Sequence, residues 1–320
     1  EEVLRHRNIK LVRMVGSDAS LANELLDELE RRGVEGLAKN PQYDPKDCKS
    51  TDKIAIISEA DTFYGRVLPV TFAVSLFVKT GGAPNFKTTL QRIEDDPGSW
   101  PCSLVTYTYL NGLDGEVPVG ETKKKSDVTD HTAERPEQAA KHKRAAQERP
   151  EGPSQLDYAK RLAAKISDDN NANFQEGRRT FRAIGVLGSD VYDKLLLLQA
   201  LRKRLPNAVF FTTDLDARLL HKDEFPWTRN LLIASHYDLG LSERWNEELQ
   251  VRVAPFRDGY QTALYLSTLQ AVGWLTAKES NSCLVPRDSG KTFSRDVAPK
   301  LYEVGRRGAV NISVTTNLEC

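Results

Sequence analysis

Apolar residues recur along this chain in two alternating textures: short continuous runs, and longer segments with leucines at helical spacing. Residues 9 to 15, IKLVRMV, form such a run and stop at Gly16-Ser17-Asp18. LANELLDELERRGV then reads as a helix closing on Gly33, a residue suited to the positive φ of a helix end. Gly36 to Asp52 has prolines and polar residues without period, which predicts a loop. The texture returns with Lys53 to Ser58 as a β-branched strand, EADTFYG as a polar turn, and RVLPVTFAVSLFVKT as a helix whose Pro69 is expected in its first turn. Residues 101 to 110, PCSLVTYTYL, alternate and predict a strand running into NGLDG.

From Glu116 to about Pro153 charges, alanines and prolines replace aliphatic residues, so a solvent-exposed, mobile insertion is expected there. Folded texture resumes at Ser154-QLDYAKRLAAKI. AIGVLG (183 to 188) and NAVFFTT (207 to 213) follow as buried-type strands around the helix SDVYDKLLLLQALRKRL. NLLIASHYD (230 to 238) is a further strand and PFRDGYQTALYLSTLQAVGWL (255 to 275) a long helix. Residues 280 to 298 read as loop, and 299 to 314 as a short strand pair. Apolar strands joined by helices imply parallel pairing with both faces covered. The predicted class is therefore α/β, two Rossmann-like lobes with mainly parallel sheets flanked by helices. Residues 1–52 would belong to a partial first lobe, 53–115 and 154–240 to a second, 116–153 to the insertion, and 241–320 to a return helix and tail.

Composition narrows the partners. The 320 residues balance 45 lysines and arginines against 45 aspartates and glutamates. No global field therefore draws the chain to nucleic acid or anionic lipid. No run approaches the roughly 18 apolar residues that would cross a bilayer, and EEVLRHRNIK lacks the apolar core of a signal peptide. The missing initiator methionine points to a piece of a longer polypeptide. Cys48, Cys102, Cys283 and Cys320 are scattered without metal-site spacing and are expected to be unpaired.

In open parallel sheets ligands bind beyond the carboxyl ends of the strands. The residues just after each predicted strand are Gly16-Ser17-Asp18, Ser58-Glu59-Ala60-Asp61-Thr62, Gly188-Ser189-Asp190, Thr212-Thr213-Asp214 and Ser235-His236-Tyr237-Asp238. Such hydroxyls and carboxylates suit a small-molecule cleft, and they are equally the preferred N-caps of the helices that follow. Asp214-Leu215-Asp216, with Glu59, raises a divalent-metal enzyme as a minority alternative. The sequence has no GxGxxG after a strand, no GxxxxGK[ST] and no GxSxG, so dinucleotide, P-loop and serine-hydrolase chemistries lack their mechanics. His236 reads as a polar rim residue rather than a general base.

IAIISEADTFYG resembles the strand, turn and helix opening the second lobe of type I periplasmic binding proteins, including branched-chain amino-acid receptors. AIGVLGSDVYDKLLLLQAL with NAVFFTTD, and PFRDGYQTALYLSTLQAV, are similar to later units of that family. The charged insertion has no counterpart there. The resemblance implies non-catalytic capture of a small molecule between two lobes, as a sensor domain of a larger protein, with no cofactor and an extracytoplasmic location. By position it implies ligand contacts from Ser58, Asp61, Tyr64, Ser189, Asp190, Thr213, Asp214 and Tyr237. The alternative on the same fold is a ligand-free scaffold that recruits a protein partner through residues 116–153.

Overall fold

The computed structural model describes residues 14–39, 51–81, 85–95, 100–113, 153–241, 246, 252–276 and 297–313. Residues 9 to 13 of the strand expected at 9 to 15, the charged insertion up to Gly152 and most of the loop at 280 to 298 lie outside them. In chain order the elements are α1 (Asp18–Arg31), β1 (Lys53–Glu59), α2 (Phe63–Thr80), α3 (Phe86–Asp95), β2 (Leu104–Tyr109), α4 (Pro153–Gln175), β3 (Phe181–Leu187), α5 (Val191–Arg202) and β4 (Val209–Thr213). There follow two 3-10 turns (Ala217–Leu220 and Lys222–Glu224), α6 (Phe225–Thr228), β5 (Leu232–Ser235), α7 (Gly259–Thr276), β6 (Lys300–Val304) and β7 (Ala309–Asn311).

The seven strands form one sheet in the order β2-β1-β3-β4-β5-β6-β7. The first five are parallel, and β6 and β7 add an antiparallel edge. The expected mainly parallel α/β architecture is thus present, with α1, described within the segment 1–52, lying on this same sheet. Alternation along the strands divides the core. Ile54 and Ile56 of β1 join Leu25, Leu29, Phe72 and Phe77 of α1 and α2 on one face; Ala55 and Ile57 join Ala163, Leu195 and Leu198 of α4 and α5 on the other. All seven residues of β1 are buried, the burial expected of a central parallel strand. Each fully buried aliphatic or phenyl side chain contributes about 1.5–3 kcal/mol.

Two expectations need correcting. Pro69 lies inside α2, because Thr62 caps the helix and it begins at Phe63; the proline ring therefore removes a hydrogen bond to the Gly65 carbonyl one turn earlier. Cys102, just ahead of β2, is disulfide-bonded rather than unpaired, and the described residues contain no free cysteine. Its partner lies outside the described residues, so no spacing between elements disclosed the pairing.

Candidate functional site

The strand order reverses between β1 and β3, where doubly wound sheets open a crevice. Here that crevice is plugged. Glu59, the last residue of β1, is fully buried. Its carboxylate accepts hydrogen bonds from the Ser189 amide (2.6 Å) and hydroxyl (3.0 Å), the Thr62 hydroxyl (2.6 Å) and the Tyr109 hydroxyl (3.5 Å). Gly65 permits the close approach, since a Cβ there would strike the backbone of Glu59. Burial, with the charge of Glu59 next, pushes the Tyr109 phenol far above its ordinary range and keeps it a donor.

The open space lies one strand further, over β3 and β4. A cavity of about 620 Å³ is bounded by Ser189, Asp190 and Tyr192 after β3, Asp214 to Arg218 after β4, and Arg257, Asp258, Tyr260 and Leu264 at the entry of α7. The loop after β4 is stitched to α7 through Ala217 N to Arg257 O (2.8 Å) and Gly259 N to Leu215 O (2.9 Å). Asp214 adopts the left-handed region (φ 67°), a conformation that costs a non-glycine residue energy and recurs at ligand sites. The bond from its amide to the Ala234 carbonyl (2.8 Å) fixes that geometry.

Asp214 then gathers a polar group. The Tyr64 hydroxyl donates to its Oδ2 at 3.0 Å and stands 3.3 Å from the Thr213 hydroxyl. Tyr260 stands beside Tyr64 and Asp214 and feels the charge of Asp214. Burial first, then the Asp214 charge, raises both phenols above their ordinary range, and the same two causes raise the Asp18 carboxyl. Beneath them Lys194, 3% exposed, donates to the Thr213 carbonyl at 2.9 Å. Burial lowers its pKa against the opposing pull of Asp214, Asp216, Glu59 and Asp190.

Of the residues anticipated from sequence, the structure brings Tyr64, Thr213 and Asp214 together, and places Ser189, Asp190 and Asp214 on the cavity wall. Ser58 is buried within β1. Asp61 is exposed and accepts from the Asn111 amide at 3.0 Å. The Tyr237 hydroxyl donates to the Met14 carbonyl. His236 is buried with Nε2 3.0 Å from the Ser20 hydroxyl, and burial lowers its pKa. Tyr260, Arg257 and Asp258 escaped the sequence reading, although Asp258 caps α7 by accepting from Gln261 N at 2.8 Å, a recognisable cap signal.

Capping explains part of the rim. Ser17, Thr62 and Asp190 each accept amides of the helix that follows. Asp190 takes two, Tyr192 N at 2.7 Å and Asp193 N at 3.3 Å. Asp190→Ala should therefore cost about 1–2 kcal/mol in urea unfolding. A loss under about 0.5 kcal/mol, the scale of ordinary surface substitutions, would show that the cap does not anchor α5. Each carboxylate of the metal alternative already serves a protein donor: Glu59 accepts from Ser189 and Thr62, Asp214 from Tyr64, and Asp216 from Arg218 N at 2.7 Å. Among the described residues no group of three or more acidic, histidine or cysteine side chains could hold a metal ion.

No family model matches the chain, and no curated protein matches it. Among solved structures it is similar to LpoA from Haemophilus influenzae, with 10% identity, 92% of this chain and 39% of that one covered, and a TM-score of 0.40. An extracellular ligand-binding receptor from Verminephrobacter eiseniae shares 12% identity over 88% of this chain and 57% of its own, with a TM-score of 0.40. A solute-binding protein of an ABC transporter from R. palustris, in complex with benzoate, shares 11% identity over 97% and 72%, with a TM-score of 0.45. The chain thus spans 39% and 57% of the first two. The α/β class itself rests on the parallel order of β1 to β5 and the helices on both faces.

Proposed function

We propose that this chain is a non-catalytic small-molecule-binding domain, a sensor module of a larger extracytoplasmic protein, with its ligand seated at the carboxyl ends of β3 and β4. The observation that carries this reading is the cavity of about 620 Å³ organised around the strained Asp214. Its volume suits a small ligand. The rim is apolar as well as polar: Val15, Phe63, Leu110, Tyr260 and Leu264 are exposed around this end of the sheet. Exposed apolar side chains collected on one face mark a surface that closes on something. In this reading the exposed rim closes on the ligand as one lobe does against another around a hinge. The disulfide at Cys102 supports an oxidising compartment.

The ligand presents a donor, an amine or a hydroxyl, to Asp214 and an apolar portion to Tyr260 and Leu264. The test is a thermal-shift screen of the chain against amino acids, sugars and nucleotides, followed by calorimetry. A ligand at about 100 times its dissociation constant adds about 2.7 kcal/mol of stability. Asp214→Asn is the informative variant, because asparagine tolerates the left-handed conformation while losing the charge. Affinity for an amine ligand should fall at least about tenfold, a loss of about 1.4 kcal/mol. A screen in which no compound raises the melting transition would overturn the reading and favour a ligand-free scaffold.

A further inference from the structure

At the opposite pole, by the amino-terminal ends of β1 and β3, lies a second cavity of about 510 Å³, lined by Glu35, Asp52, Phe174, Arg178, Arg179 and Arg182 among others. The local sequence builds it. Gly177, in the left-handed region (φ 66°), turns the chain out of α4, and Arg178 N bonds the Asn173 carbonyl at 2.8 Å, so the arginines follow one another into β3. The floor is fixed: buried Lys53 donates to Asn173 Oδ1 at 2.9 Å, and Asn170 Oδ1 accepts from Phe181 N at 2.7 Å. Beside them Phe174 leaves 74% of its surface exposed.

Net charge does not select a ligand here. Three arginines face the carboxylates of Glu35 and Asp52, and the carbonyl ends of α1 and α4 each add about half a negative charge. Donors, however, exceed acceptors. The Arg182 guanidinium has Asp52 Oδ2 at 4.0 Å, beyond hydrogen-bond reach, and makes no hydrogen bond among the described residues. Arg179 commits one nitrogen to Glu35 and stands 3.7 Å from Asp52. Arg178 pairs with Glu176, yet its Nε is buried without a partner. Asp52 itself is occupied by the Glu35 amide at 2.9 Å. Unspent guanidinium N–H groups in a fork match the two oxygens of a carboxylate or phosphate, and an adjacent exposed phenyl ring offers a stacking face.

We propose that this pole is a second binding site, for a small oxyanion, carboxylate or phosphate, carried on a planar ring that lies against Phe174. The site is independent of the one at Asp214. Its test is calorimetric titration of the full chain with phenyl phosphate, phenylacetate and inorganic phosphate. Phenyl phosphate, phenylacetate or both should bind, and the stronger of the two identifies the oxyanion. Arg182→Gln should weaken that binding about tenfold. Arg182 is half exposed on the strand, so the fold should persist, checked by an unchanged circular dichroism spectrum. Phe174→Ala should weaken the ring-bearing anion and leave inorganic phosphate unchanged, while Asp214→Asn alters neither. Affinity unaffected by Arg182→Gln, or no heat with either ring-bearing anion up to about 10 mM, would overturn the proposal.

Discussion

Lys194→Met should destabilise the protein by about 1–3 kcal/mol in chemical denaturation at neutral pH, the cost of leaving the buried Thr213 carbonyl without its donor. Methionine retains most of the side-chain volume, so the loss would be electrostatic. Lys194 is buried under the rim. It donates to the Thr213 carbonyl and faces the charges of Asp214, Asp216, Glu59 and Asp190. Without it those carboxylates repel one another, and the left-handed turn at Asp214 loses the cation behind it.

The pH dependence of that loss separates charge from hydrogen bonding. Burial already raises the folded-state pKa of Asp216 against the lowering pull of Lys194, so removing the ammonium raises it further, while the unfolded value stays near 4. A carboxyl whose folded pKa is raised binds more protons in the folded state, so folding gains as pH falls through its titration. The deficit of Lys194→Met should therefore be largest above the carboxylate range and narrow toward pH 4. A deficit independent of pH would mean that Lys194 acts only as the donor to the Thr213 carbonyl.

The sequence patterns disclosed the units and left their meeting points hidden, for a physical reason. A buried parallel strand must be apolar on both faces, so β1, β3 and β4 announce themselves as runs such as IAII, AIGVL and VFF. Caps are local too, and Thr62, Asp190 and Asp258 follow from the residues beside them. The pairing of Tyr64 with Asp214 joins residues 150 apart, a contact set by sheet order. Their positions after strand ends put both on the rim, and no local pattern shows that they touch. Ser58 shows the limit of counting along a strand: β1 continues to Glu59, so Ser58 remains inside it. The 3-10 turns at 217–224 carry no period long enough to read, yet they form one wall of the cavity. Nor does any local pattern announce that β6 and β7 would extend the same sheet, because register is settled by partners far away in sequence.

Glu59→Ala should be more damaging than the loss of Lys194, and its comparison with Glu59→Gln decides what that carboxylate is for. Truncation leaves the Ser189 amide and the Thr62 hydroxyl without their acceptor, at about 1–3 kcal/mol for each stranded donor, while the Tyr109 hydroxyl keeps the Leu187 carbonyl at 3.4 Å. Rearrangement of the two hydroxyls would hold the total to about 3–5 kcal/mol. Glutamine restores one good acceptor, and its Oε1 can still take the Ser189 amide while its NH₂ faces the Thr62 hydroxyl. Glu59→Gln should recover roughly half of the loss. Because Glu59 is fully buried, a folded Glu59→Gln protein should bind any rim ligand with unchanged affinity. A metal-dependent role demands the reverse, with stability nearly intact and function abolished. Urea unfolding of both variants, with ligand titration of the glutamine form, therefore distinguishes a carboxylate that locks β1 to the start of α5 from one that meets the ligand.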